Sequence, residues 1–235
     1  MAMKNKLFIG LAAFLTFALL PASSFAAVAV SAECAWNNDQ LDCYIYANTG
    51  GDAIISGGVE LAYDTTQLSS PVAEKNEDDW FFGEGPGGTN YPYMAPEINP
   101  TDGKIVFIVG KLKESDPGEG VTSEKVLIGT ATFERSTTTN PCPDPSAFFG
   151  LGLGLGRVTP YVNFVKTDGT EMDAGVTFSI ATYERGGAET DCDIDVFDVL
   201  ATRSLIESAG FSIWADCEGD DDVDVFDILC IRDKI

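Results

Sequence analysis

Three features of the sequence predict a mainly β chain, an antiparallel jelly-roll-type β-sandwich followed by a small α-helical module. Across residues 27–182 apolar and polar residues alternate with period two, which sets successive side chains on opposite faces of a strand. Turn residues punctuate that stretch at short intervals, and no long 3.6-residue periodicity interrupts it. Beyond it, one carboxylate pattern occurs twice, each copy opening an apolar-periodic run as a helix cap does. The chain thus divides into 1–26, 27–182 and 183–235.

Residues 1–26 read as a secretory signal. Lys4 and Lys6 give a charged start, residues 7–20 are a nearly uninterrupted apolar run, and Ser24-Phe25-Ala26 is a small-x-small cleavage site. The run is shorter than the about 20 residues of a membrane span, and no second run follows. The expected location is secreted, extracellular or at the cell surface. Six cysteines in an exported chain favour disulfides. Cys34 and Cys43 flank the hairpin-like turn Asn37-Asn38-Asp39-Gln40 and are expected to pair. Cys142, Cys192, Cys217 and Cys230 leave three pairings open, one of which, Cys192 with Cys217, joins the two acidic segments.

Nine candidate strands fall at 28–36, 41–47, 55–63, 71–75, 104–111, 125–133, 150–155, 160–166 and 175–181. That number suffices for two sheets sharing one core. After the third, Tyr63-Asp64-Thr65-Thr66-Gln67-Leu68 ends a strand with an Asp-centred turn and returns a Leu to the core. Residues 76–102 form a long Gly-, Pro- and aromatic-rich insertion without strands of its own, carrying Trp80, Phe81, Phe82, Tyr91 and Tyr93. Its rings either stack on sugar or plug the end of the sandwich; the hydrophobicity of Trp80-Phe81-Phe82 favours the plug. The alternating Gly and Leu of 150–156 lack the Gly-Lys-Ser/Thr of a phosphate loop. They read as an edge or bulged strand with Leu inward and Gly allowing close approach.

The acidic end carries the chemistry. Residues 191–200 laid over 220–229 give seven identities in ten, at an offset of 29 residues. In the second copy, Asp216, Glu218, Asp220, Asp224 and Asp227 occupy positions 1, 3, 5, 9 and 12 of a twelve-residue loop, and Asp222 offers its carbonyl at position 7. This is the oxygen spacing of an EF-hand-like loop for a hard cation, Ca2+. Two carboxylates about 4 Å apart repel by roughly 4 kcal/mol at an effective dielectric of about 20, so a folded cluster of five calls for a counter-ion. In the same register the first copy runs Gly187, Glu189, Asp191, Asp193, Asp195 and Asp198, so its first position has no side-chain ligand and its affinity is expected to be lower. Both copies replace the usual Gly at position 6, by Cys192 and Asp221, where the loop needs positive φ. Ile194 and Val223, at position 8, are expected to pair their backbones, and Asp227 to open a helix.

Paired loops, each followed by one helix and closed by Asp, resemble a dockerin domain, the calcium-binding plug of cellulosome-type assemblies. In that family loop positions 10 and 11 and the following helix face the partner; the matching residues are Val196, Phe197, Val225 and Phe226. Most members carry small polar residues at the first such pair, so the apolar pairs here depart from the usual partner code and suit a core. Three pieces of the sandwich, residues 57–68, 126–133 and 175–180, are similar to cohesin and related carbohydrate-binding sandwiches.

Composition narrows the function further. The formal charge is −23, and 15 of the 37 acidic residues lie between Glu184 and Lys234 against four basic ones, which excludes nucleic acid as a partner. The chain has no His and no CxxC, so the usual general base and a zinc site are both missing. No activated Ser or Cys arrangement is present, and the regularly spaced carboxylates belong to the calcium loops; no catalytic residue is assigned. The expected function is an exported, non-catalytic, calcium-binding assembly or adhesion protein. Its dockerin-like module docks to a protein partner, a cohesin-like domain or cell-surface scaffold, with self-assembly between copies ranked second. The alternative is a polysaccharide-binding protein whose sandwich holds carbohydrate, with Trp80 and Tyr91 as candidates. The link 183–188 spans at most about 20 Å, too short to carry the module to a distant face of its own sandwich.

Overall fold

The computed structural model describes residues 28–37, 39–80, 84–85, 89–90, 95–110, 119–136, 142, 148–154 and 163–235. The signal segment and Phe81, Phe82, Tyr91 and Tyr93 lie outside them. In chain order the strands are β1 (Ala29–Asn37), β2 (Gln40–Asn48), β3 (Ile54–Tyr63), β4 (Leu68–Lys75), β5 (Glu84–Gly85), β6 (Thr89–Asn90), β7 (Glu97–Asn99), β8 (Lys104–Gly110), β9 (Val126–Arg135), β10 (Phe149–Leu153), β11 (Val165–Lys166) and β12 (Thr177–Glu184). Two helices follow, α1 (Val196–Ser208) and α2 (Val225–Lys234). No helix among the described residues is long and apolar enough to cross a membrane.

The first sheet has the order β12-β1-β2-β9-β4 and the second β10-β3-β8-β7, with β11 also paired to β3. Alternation does the work of facing them. Val30, Ala32 and Cys34 of β1, with Leu41, Cys43 and Ile45 of β2, point into one buried core. Val59 and Leu61 of β3 and Ile105, Phe107 and Val109 of β8 meet them from the other sheet. Burying one such side chain contributes roughly 1.5–3 kcal/mol. Strand β9 carries Gly129 where the β2–β9 register shifts between Ile45 and Tyr46. A Cβ at Gly129 would lie 2.3 Å from the Glu74 carbonyl and 2.8 Å from the Phe107 ring, so only glycine fits this bulge.

Several sequence expectations change in detail. The sheets are antiparallel except for β1 and β12, which run parallel. The insertion 76–102 does have strands of its own, β5 to β7. Its Trp80 is completely buried in the sandwich core, so the plug reading holds for that ring and Trp80 cannot stack on sugar. Strand β10 is the edge expected of the Gly-Leu run, and Leu151 and Leu153 pack against the core. Close approach, however, is confined to Gly154, where a Cβ would meet Gly58 backbone at 2.8 Å; Gly150 and Gly152 face open space. Residues 173–175, read partly as strand, form a 3₁₀ turn. The Asp64 turn forms as expected: the Thr66 amide donates to Asp64 Oδ1 at 2.8 Å, and Leu68 is buried.

All six cysteines are paired, the state an oxidising compartment produces. Cys34 and Cys43 join adjacent strands as expected. Of the three pairings left open for the others, the one formed is Cys142–Cys192 with Cys217–Cys230, so no disulfide joins the two acidic loops. One bridge instead ties the first loop to residue 142, and the other closes the second loop onto α2.

Candidate metal centre and module interface

Each acidic loop folds around its own helix start. Asp195 caps α1 by accepting from the Phe197 amide at 2.7 Å, and Asp198 returns the contact by accepting from the Asp195 amide at 2.8 Å. Asp224 and Asp227 repeat the arrangement on α2, at 2.6 and 2.8 Å. These are reciprocal capping boxes, each satisfying orphan amides of a first helical turn and worth about 1 kcal/mol. The loop backbones match as well. Thr190 and Gly219, then Cys192 and Asp221, all have positive φ, at 63°, 78°, 78° and 66°. The turn required at loop position 6 is therefore made in both copies, by Cys192 as well as by Asp221. Ile194 and Val223 do not bond backbone to backbone; the side chain of Ile194 instead approaches Gly186, beside Cys217 and Ile231.

The carboxylates are distributed differently in the two loops. In the first, one oxygen each of Asp193, Asp195 and Asp198 come within 4.8 Å of one another. Asp198 also accepts from the Glu189 amide at 2.9 Å, while Glu189 and Asp191 are exposed at the rim. Mutual repulsion is evident: Asp191 above all, with burial, pushes the Asp193 carboxyl up, and burial together with Asp191 and Asp195 pushes Glu189 up. In the second loop Asp216 is fully buried. Its Oδ1 accepts from the amides of Gly219 and Asp220 at 2.7 and 3.1 Å, and its Oδ2 from the Asp221 amide at 3.2 Å. Asp227 accepts from the amides of Cys217 and Glu218 at 2.7 and 3.2 Å. Burial raises its carboxyl even so, against those amides. Glu218 and Asp220 are exposed, and Asp222 caps the Val223 amide at 2.6 Å. Among the described residues the second loop makes no trio as tight as that of the first.

The donor set is oxygen throughout, clustered, and in part held against its own repulsion. Those properties fit a hard divalent cation of the calcium type. Asp193, Asp195 and Asp198 would hold it in the first loop, and Asp216, Asp220, Asp224 and Asp227 with Glu218 in the second.

The Val-Phe pairs are not core. Val196 and Phe197 are 56% and 53% exposed, Val225 and Phe226 both 56%, and Leu200 and Leu229 extend the same surface on each helix. The cause lies in the caps: Asp198 and Asp227 are the buried residues of the first helical turns, so the residues just before them turn outward.

Sequence reasoning missed a set of residues that fix the module to the sandwich. Strand β12 runs to Glu184, and Arg185, Gly186 and Gly187 are buried, so the link is not a free tether. The Arg185 guanidinium donates to Asp216 Oδ2 at 2.8 Å, to the Asp216 carbonyl at 2.9 Å and to Asp42 of β2 at 2.9 Å. Burial works against its charge, but Asp42 and Asp216 outweigh that and raise the guanidinium pKa. The Trp214 indole donates to the Cys34 carbonyl at 2.8 Å and meets the Tyr183 ring edge-on. The Tyr44 hydroxyl donates to Asp221, and the Lys234 ammonium to the Arg185 carbonyl at 2.5 Å. The signal for Arg185 was available: it is the one basic residue between Lys166 and Arg203. The module thus docks beside its own first sheet, the near face that a short link allows. Between them lies an open cleft of about 630 Å³ lined by Tyr44, Tyr46, Glu74, Thr130, Thr132 and Phe211.

No protein-family model and no curated protein matches the chain. Solved structures similar to it include the seventh ScaB type I cohesin from Pseudobacteroides cellulosolvens, at 19% identity and TM-score 0.42, covering 66% of this chain and 92% of that one. Another is the third cohesin ScaC in complex with the ScaB dockerin from Acetivibrio cellulolyticus, at 11% identity and TM-score 0.43, covering 66% and 98%. A third is a type I cohesin–dockerin complex from Clostridium thermocellum, at 11% identity and TM-score 0.43, covering 66% and 99%.

Proposed function

We propose that this chain is an exported, non-catalytic assembly protein, a β-sandwich bearing a dockerin-like module with two calcium loops that docks to a protein partner. The observation carrying this reading is the duplicated apolar surface Val196, Phe197, Leu200 and Val225, Phe226, Leu229. It stays exposed although the module already packs against its own sandwich by another side. A fold that buries carboxylates in the first turn of each helix and leaves Phe outside is arranged for contact with something else. Aromatic anchors of this kind dominate protein interfaces. The partner of first choice is a separate cohesin-like domain; a second copy of the chain is the next.

Calorimetry against purified cohesin domains tests it. Binding in calcium, abolished by chelator and weakened at least about tenfold by Phe197→Ser with Phe226→Ser, is expected for hot-spot anchors. Binding that ignores both substitutions overturns the assignment of the surface. Light scattering decides between partners: mass that grows in calcium and falls on chelation moves the second copy to first place.

The second reading, carbohydrate binding, is favoured by the cleft, where the Tyr44 and Tyr46 rings stack at 6.3 Å beside hydroxyl and carboxylate groups. Retention of the full chain on polysaccharide, lost on Tyr44→Ala, would establish it.

A further inference from the structure

We infer that Arg185 is a resident counter-cation of the second loop. It supplies, when calcium is absent, positive charge that the ion would bring, and so keeps that loop folded and docked on the sandwich. The inference rests on reading the loops as calcium sites, but its geometry is independent of that reading. Asp216 opens the second loop and is completely buried, with its carboxylate 2.8 Å from the guanidinium. The other end of the same guanidinium lies 2.9 Å from Asp42, on the outer side of β2, and its side chain is only 6% exposed. A planar group with five donors is suited to bridging two carboxylates and a carbonyl at once, which an ammonium is not.

Among the described residues the first loop has no equivalent. Gly187 stands where Asp216 stands in the second, and the hydrogen bonds to the carboxylates of Asp195 and Asp198 among the described residues come from backbone amides. The Cys142–Cys192 disulfide also ties the first loop to the rest of the chain, holding position but neutralising nothing. The two copies should therefore answer calcium removal differently. Among the described residues the first loop is left with no counter-charge, whereas the second keeps one that belongs to the chain.

Hydrogen–deuterium exchange of the full chain, in calcium and in chelator, tests this. In the native protein, chelation should speed exchange across residues 188–198 at least about tenfold more than across 214–224, since local opening follows local stability. In Arg185→Gln, exchange across 214–224 should rise at least about tenfold in chelator and return toward the native rate in calcium. Arg185→Lys should rescue only in part. Asp42→Asn, which leaves the loop side of the contact in place, should loosen Trp214 and its neighbours even where Arg185→Gln fails to fold. Equal deprotection of both loops in the chelated native protein, or no change in exchange with Arg185→Gln or Asp42→Asn, would overturn the role. Absence of calcium heat with the native chain would refute the calcium reading of the loops alone, because the comparison of Arg185→Gln and Asp42→Asn with the native chain in chelator stands without it, and equal exchange of the two native loops then counts against that reading only.

Discussion

In the first acidic loop Asp193, Asp195 and Asp198 converge on one another, whereas in the second the opening carboxylate, Asp216, is buried against Arg185 and three backbone amides. Yet the two have the same positive-φ positions and the same capping boxes. A repeated sequence thus repeats its backbone, because φ preferences and caps are local. It does not repeat its electrostatics, because the charge that answers the second loop, Arg185, comes from elsewhere in the chain and has no counterpart at the first among the described residues. Only the second copy follows a buried turn that sets its first carboxylate beside Arg185.

Substitutions can break that difference. The largest effect is expected for Asp216→Ala, which leaves Arg185 buried with one partner fewer. Removing one member of a buried pair costs about 3–5 kcal/mol, and a denaturant midpoint should register it; Asp191→Ala, at an exposed position, should stay within about 0.5 kcal/mol.

The disulfides come next. By loop entropy, Cys142–Cys192, with a separation of 50 residues, stabilises by about 4 kcal/mol, and Cys217–Cys230, with 13, by about 3 kcal/mol. Paired Cys→Ser variants should therefore lose stability in that order. The reverse order in chemical denaturation would mean that the short bridge is supporting loop geometry rather than limiting the unfolded chain.

Much of this was legible in the sequence, and the limits have physical causes. The main strands, the Cys34–Cys43 pair, the Asp64 turn and both helix starts follow from patterns within about ten residues, where alternation, turn chemistry and capping decide the outcome. What local pattern could not supply was long-range. The parallel pairing of β1 with β12 and the pairing of Cys142 with Cys192 both depend on which segments meet. The outward turn of Phe197 and Phe226 was misjudged for another reason: hydrophobicity favoured a core, but the caps require Asp198 and Asp227 to face inward, and neighbours on a helix cannot share that side. Arg185 and Asp42 are 143 residues apart and no periodicity connects them.

Ligand substitutions give a smaller, sharper test. Asp220→Ala or Asp227→Ala should weaken calcium binding more than Asp191→Ala, by roughly a factor of ten, since ligand charge count tunes such sites. Equal losses by calorimetry would overturn the ranking of the second loop above the first. Smallest of all should be the stability change in Phe197→Ser with Phe226→Ser. Both rings are more than half exposed, so the melting curve should shift by less than about 0.5 kcal/mol even as partner binding falls.

The most direct measurement is a calcium titration of the full disulfide-bonded chain by calorimetry, from chelated protein. The account predicts two events of unequal affinity, the weaker within the roughly 10⁻⁴ to 10⁻³ M range of extracellular modules, with the stronger weakened by Asp227→Ala and the weaker by Asp198→Ala. Heat no greater than dilution up to several times that concentration would contradict it, leaving the duplicated carboxylates as an acidic surface with no ion to hold.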